Sequence, residues 1–154
     1  QEFEEFPSLA IGAYGDNLLN ITNAYSAINN NGKIKSPEII EKIESCNKQP
    51  IWENKYISKK ILDLKINNKI NKLLEKSVKE GTSKAASIKG KKIYGKTGTS
   101  DGNKDLWFIG SIDNLTTGIW IGYDDNKESE LSSGNAAYLW KKFISEIYKI
   151  PIKK

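Results

Sequence analysis

Gly90-Lys91-Lys92-Ile93-Tyr94-Gly95-Lys96-Thr97-Gly98-Thr99-Ser100 admits two readings that exclude each other. As GxxxxGK[ST], residues 90–97 match a phosphate-binding loop, whose backbone N–H groups wrap a phosphate while the Thr hydroxyl meets magnesium. Such a loop leaves a buried apolar strand and opens directly into a helix, whose N-terminal dipole helps to hold the anion. Neither flank complies. Residues 82–89 are a polar run of Ser, Lys and Ala, and Gly98, Ser100, Asp101 and Gly102 are poor helix formers in series. The alternative is that residues 91–99 form a strand, and the sequence on either side favours it.

Downstream, residues 105–112 and 117–123 are rich in aromatic and β-branched side chains and face each other across a turn at Asp113-Asn114, which predicts an antiparallel pair. A final helix is expected over 135–149, with Ala136, Trp140, Phe143 and Ile147 on one face and a stop before Pro151. Upstream, Ile61, Leu62, Ile66, Ile70, Leu73, Leu74 and Val78 keep a helical period over 58–80, ended by Gly81, and residues 82–90 form a loop. A first helix is expected over 17–30, capped by Asp16 and closed by Asn31-Gly32. Between these helices, residues 34–43 and 50–52 read as extended segments around a polar turn at 45–49. The sum is an α+β fold, an antiparallel sheet covered by the 59–80 helix and the C-terminal helix.

At 154 residues, 38% hydrophobic and 28% charged, the chain suits one globular unit with material for a core. There is no His and Cys46 is alone, which excludes an imidazole-based triad, a thiolate zinc cage and an internal disulfide. The net charge of +5 comes entirely from Lys set among 19 acidic residues, a pattern of solvated surface; without Arg for bidentate phosphate contacts, a nucleic-acid partner is not expected. No apolar run approaches the roughly 20 residues of a membrane helix. The acidic opening, Gln1 to Glu5, is unlike a secretory signal, so any anchor or export signal is expected outside this chain.

Lys96-Thr97-Gly98-Thr99 also matches the KTG box of the penicillin-recognising serine acyl-enzymes, which lies on a strand beside the active serine. Three further segments extend the match in order. They are Pro7-Ser8-Leu9-Ala10-Ile11-Gly12 with the helix ending in Ala24-Tyr25 and the Asn31-Gly32 stop, then Glu80-Gly81-Thr82, then Asp105-Leu106-Trp107-Phe108-Ile109-Gly110 followed by Gly118-Ile119-Trp120-Ile121-Gly122-Tyr123-Asp124. With these, residues 1–154 resemble the C-terminal half of the transpeptidase domain of class A, bifunctional penicillin-binding proteins. The Trp side chains themselves are expected to be core.

The resemblance implies a partial serine β-lactamase/penicillin-binding transpeptidase fold and a role in peptidoglycan cross-linking through an acyl-serine intermediate. Lys96 would direct positive potential and a hydrogen bond toward the active-site hydroxyls, and the Thr97 and Thr99 hydroxyls would bind the substrate carboxylate. Gly98 would let the substrate backbone approach, and Thr99 N–H would be an oxyanion donor. The same resemblance implies a parent with an N-terminal glycosyltransferase, a membrane anchor and an extracytoplasmic or periplasmic location, with stem peptides and β-lactams as partners and no cofactor or metal.

The family's SxxK nucleophile and SxN motifs are not found in their expected place before the box. Ser45-Cys46-Asn47-Lys48 fits both patterns, but in a polar turn, and Ser133-Gly134-Asn135 fits the second, at the expected cap of the last helix. Both read as coincidences. The part of the domain that carries the nucleophile is therefore expected outside this chain, leaving the isolated chain inactive and prone to self-association through uncovered apolar faces. A nucleotide-binding loop and a non-catalytic binding module are the competing readings.

Overall fold

The computed structural model describes residues 7–12 and 14–151; the acidic opening lies outside the described residues. A 3-10 turn at Pro7–Ile11 precedes helix α1 (Leu18–Asn29). Its cap is Asn17 rather than Asp16: the Asn17 side chain accepts the Asn20 N–H (2.9 Å), while Asp16 accepts from Asn17 N–H (2.7 Å) and the Asn20 amide (2.8 Å). The exit runs through Asn31 and Gly32 at φ 55° and 81°, as the Asn-Gly pair predicts.

The Gly32 carbonyl then accepts from Ile61 N–H (2.8 Å) and Leu62 N–H (3.2 Å), and this corrects the expected start of the second helix. Residues 58–62 spend their backbone groups on pairing. Strand β1 (Lys33–Lys35) joins β4 (Ser58–Lys60) antiparallel, Ile34 opposite Lys59. Between them β2 (Lys42–Glu44) and β3 (Pro50–Glu53) form a hairpin around the expected polar turn, closed by Ser45 N–H to the Gln49 carbonyl (2.9 Å) and turned at Lys48 with φ 59°. The expected extended run 34–43 is thus broken, its two ends belonging to separate two-stranded sheets. Helix α2 therefore spans only Leu64–Glu80, with Asp63 as its extended N-cap. Asn67 is fully buried in it because its amide donates to the Ile28 carbonyl (3.0 Å), satisfying the C-terminal end of α1.

After Gly81 a short 3-10 turn at Lys84–Ala86 replaces the expected loop and buries Ser83, Ala86 and Ile88. The chain then forms β5 (Ile93–Thr99), β6 (Asp105–Ile112) and β7 (Leu115–Gly122), an antiparallel sheet of order β5-β6-β7. β7 starts two residues earlier than expected, since a two-residue turn with Asp113 at φ 48° lets Ile112 pair directly with Leu115.

Alternation divides the sheet. One face presents Ile93, Phe108 and Ile112 to helix α3 (Ser133–Ile147), whose Trp140 meets Phe108 edge-on at 5.3 Å and 67°. A Cβ on Gly110 would stand 2.7 Å from the Trp140 ring. The other face carries Ile109 and Gly118 under α1, where a Cβ at Gly118 would run into Thr22 Oγ1. The α3 face is not quite the expected one: Ala136, Ala137, Trp140 and Ile144 are buried, whereas Phe143 and Ile147 are about half exposed, 47% and 49%. Trp140 is core as expected, Trp107 and Trp120 are half-buried, and Trp52 is exposed. Among the described residues no helix is long and apolar enough to cross a membrane.

Candidate functional site

The box residues Lys96, Thr97, Gly98 and Thr99 all lie on β5, at the edge of the sheet. This removes the phosphate-loop reading: residues 93–99 are strand, and only a three-residue 3-10 turn, Asp101–Asn103, follows. By alternation Lys96 and Gly98 share the face of Trp107 and Ile109, while Thr97 and Thr99 share that of Phe108 and Leu106.

Backbone parity decides what the edge offers. Ser100 N–H bonds to the Asp105 carbonyl of β6 (3.0 Å), so even-numbered residues of β5 pair inward and the N–H and C=O groups of Gly95, Thr97 and Thr99 point outward. The outward N–H of Thr97 is met by Ser83 Oγ (3.2 Å), and its outward carbonyl by Lys96 Nζ (2.8 Å). The next outward donor is Thr99 N–H, and no side chain meets it among the described residues. Thr99 and Lys96 are exposed; Thr97 is only 7% exposed, its hydroxyl donating to Thr82 Oγ1 at 2.8 Å. Gly98 packs flat, with space for a Cβ no closer than 3.3 Å to Trp107 Cβ.

Two supports hold this edge. At its far end the Asp105 carboxylate accepts from Ser100 Oγ (2.9 Å) and Trp120 Nε1 (2.9 Å), while Ser100 Oγ also accepts Asp105 N–H (2.8 Å), so the residue after Thr99 is locked to the two neighbouring strands. At its start Glu75 of α2 pairs with Lys79 (2.7 Å) and reaches Lys92 (3.6 Å). The hydrogen bond from Lys79 holds the Glu75 carboxyl below the usual carboxylate range despite some desolvation, and Tyr94, then Glu75, push the Lys92 ammonium up.

The other serine motifs are occupied structurally. Ser45 lies in the β2–β3 turn, its hydroxyl accepting Gln49 N–H (3.1 Å), far from the start of any helix. Asn135 is spent at the N-terminus of α3, its Oδ1 accepting Ser132 N–H (2.9 Å) and Oγ–H (3.2 Å); the cap is Ser132, one residue before the expected Ser133. Sequence reasoning missed Ser77, Thr82, Ser83 and Asp105 as supports of the edge. Glu80-Gly81-Thr82 stood out only as a helix end, and hydroxyl contacts 14 and 15 residues apart in sequence leave no periodic signal.

Comparison with known proteins agrees with this architecture. Residues 4–143 match the family model of the penicillin binding protein transpeptidase domain. "Penicillin-binding protein 4" of Bacillus subtilis is 29% identical over 143 residues, covering 90% of this chain and 23% of that protein. "Penicillin-binding protein 1A" of Clostridium tetani is 31% identical over 151 residues, 92% of this chain and 19% of that protein. The chain thus spans about a fifth of the length of these curated relatives. The structure of the penicillin-binding protein PonA1 from Mycobacterium tuberculosis superposes with a TM-score of 0.80 at 19% identity, over 96% of this chain and 42% of that one.

Proposed function

Because the chain belongs to the penicillin-binding protein transpeptidase family, we propose that it supplies the substrate-binding strand of a peptidoglycan D,D-transpeptidase. This enzyme cross-links stem peptides through an acyl-serine and is acylated by β-lactams. The observation that carries the reading is the edge of β5, where an outward Thr99 N–H lies beside exposed Lys96 and Thr99 side chains on a strand fixed at both ends. An acyl-serine reaction needs a donor where the oxyanion forms and a cationic, hydroxyl-rich surface for a carboxylate. Thr99 N–H takes the first role, the Thr97 and Thr99 hydroxyls hold the carboxylate, Gly98 admits the substrate backbone, and Lys96 leaves the Thr97 carbonyl to face the nucleophile.

The nucleophilic serine, and the remainder of the domain, come from polypeptide outside residues 1–154. The parent carries a glycosyltransferase and a membrane anchor and works on the extracytoplasmic side. No cofactor is required by this chemistry. The test is labelled penicillin: the intact protein containing this chain is expected to form a covalent adduct competed by unlabelled β-lactam, and the isolated chain none. An adduct on Ser45 of the isolated chain overturns this assignment.

The rest of the domain also covers apolar side chains that stand in water in the chain alone, among them Ile39, Ile57 and Leu73. The isolated chain is therefore expected to self-associate, seen as a sedimentation coefficient that rises with concentration. A monomer at all concentrations would instead mark an independent folding unit.

A further inference from the structure

Behind Thr97 lies a cluster of hydroxyls that the box itself does not include. Ser77 Oγ and Ser83 Oγ lie 2.8 Å apart, Ser83 Oγ accepts Thr97 N–H at 3.2 Å, and Thr97 Oγ1 donates to Thr82 Oγ1 at 2.8 Å. Ser83 is fully buried and fixes the Thr97 backbone, whereas Thr82 is exposed.

This arrangement conflicts with carboxylate binding as it stands. A carboxylate only accepts hydrogen bonds, so Thr97 must give it the proton now directed at Thr82. With 7% exposure, Thr97 has little access to water that could take over as its partner. Thr82 can, once its exposed side chain turns: as placed, only Thr97 donates across this contact, and the turn makes Thr82 the donor and Thr97 the acceptor. A hydroxyl that accepts one hydrogen bond donates a stronger one.

We propose that Thr82 is a positioning residue of the transpeptidase site, a hydroxyl that reverses its hydrogen bond to Thr97 when a carboxylate binds and so turns the Thr97 proton onto the ligand. The proposal rests on the reading of Thr97 as a carboxylate contact.

The experiment measures the second-order rate of acylation of the intact protein by a penicillin and by its methyl ester, in which the carboxylate charge is removed. Thr82→Val is expected to slow acylation by the free acid about tenfold and by the ester less than about twofold, with Thr82→Ser close to wild type on both. Thr97→Val marks the underlying reading and should show the same preference for harming the acid. If it harms acid and ester equally, or if neither compound acylates the wild type, the carboxylate reading fails and this inference with it. If Thr97→Val discriminates but Thr82→Val is silent, or slows both compounds alike, or is not rescued by Ser, the reversal alone is overturned.

Discussion

Trp140→Ala is expected to remove about 3–5 kcal/mol of folding stability, a large part of the about 5–15 kcal/mol that a domain of ordinary size possesses. The indole is fully buried, touches Phe108 edge-on at 5.3 Å, and sits over Gly110, whose missing Cβ is what lets helix and sheet approach. Truncation leaves a cavity between rigid elements on both sides, α3 and the central strand β6, so little collapse can refill it. Trp140→Phe should cost less, about 1–2 kcal/mol. It keeps an aromatic partner for Phe108 and deletes an Nε1–H that is buried with no acceptor among the described residues. Guanidinium denaturation gives both values from the shift in midpoint at unchanged slope. Equal midpoints for wild type and Trp140→Ala would mean that α3 does not close this face of the sheet.

The same packing explains why the sheet was legible in the sequence and parts of the helices were not. Residues 105–112 are alternately committed to two covered faces, so aromatic and β-branched types fill the strand and its bounds coincide with expectation. Helical periodicity over 58–80 was equally regular, yet Ile61 and Leu62 belong to no helix. Their N–H groups bond to the Gly32 carbonyl, a contact across some 30 residues that a local pattern cannot register. Phe143 and Ile147 misled in the same way. They share a helical face in the sequence, but in the chain as described that stripe faces partly into water while Ala137 and Ile144 turn inward.

The site divides along a similar line. Lys96, Thr97, Gly98 and Thr99 are contiguous and were visible as a motif; their grouping on an edge strand followed once the flanks were read as non-helical. What could not be read is which backbone groups face outward, since that depends on the register with β6, and which hydroxyls meet Thr97, since Ser77 lies in the last turn of α2 and Thr82 and Ser83 in the turn that follows it. Asp105 was noticed as part of a strand. Its function as the anchor of Ser100 requires the Trp120 indole from a third strand.

Register is also what makes the oxyanion assignment testable by a single substitution. Proline lacks an N–H, and an outward-facing position on an edge strand is one of the few places in a sheet that accepts it. Thr99 is such a position, and the residue before it is Gly98, where the absence of a Cβ relaxes the restriction that proline imposes on its predecessor. Thr99→Pro is expected to lower acylation of the intact protein by penicillin about 100- to 1000-fold further than Thr99→Val does, the cost of one oxyanion donor. Thr99→Val keeps the N–H and loses only the hydroxyl, for an expected loss of about tenfold. Both variants lose the side-chain contact to the carboxylate, so the ratio of their rates reports the outward N–H position, where proline replaces the hydrogen by its ring Cδ. Circular dichroism and the thermal midpoint of each variant separate lost chemistry from a lost strand: Ser100 and Asp105 hold the strand's end independently of the Thr99 N–H, so folding should survive. Equal rates for the Pro and Val variants, with both folded, would remove Thr99 N–H from the mechanism and leave the β5 edge with a carboxylate-binding role alone.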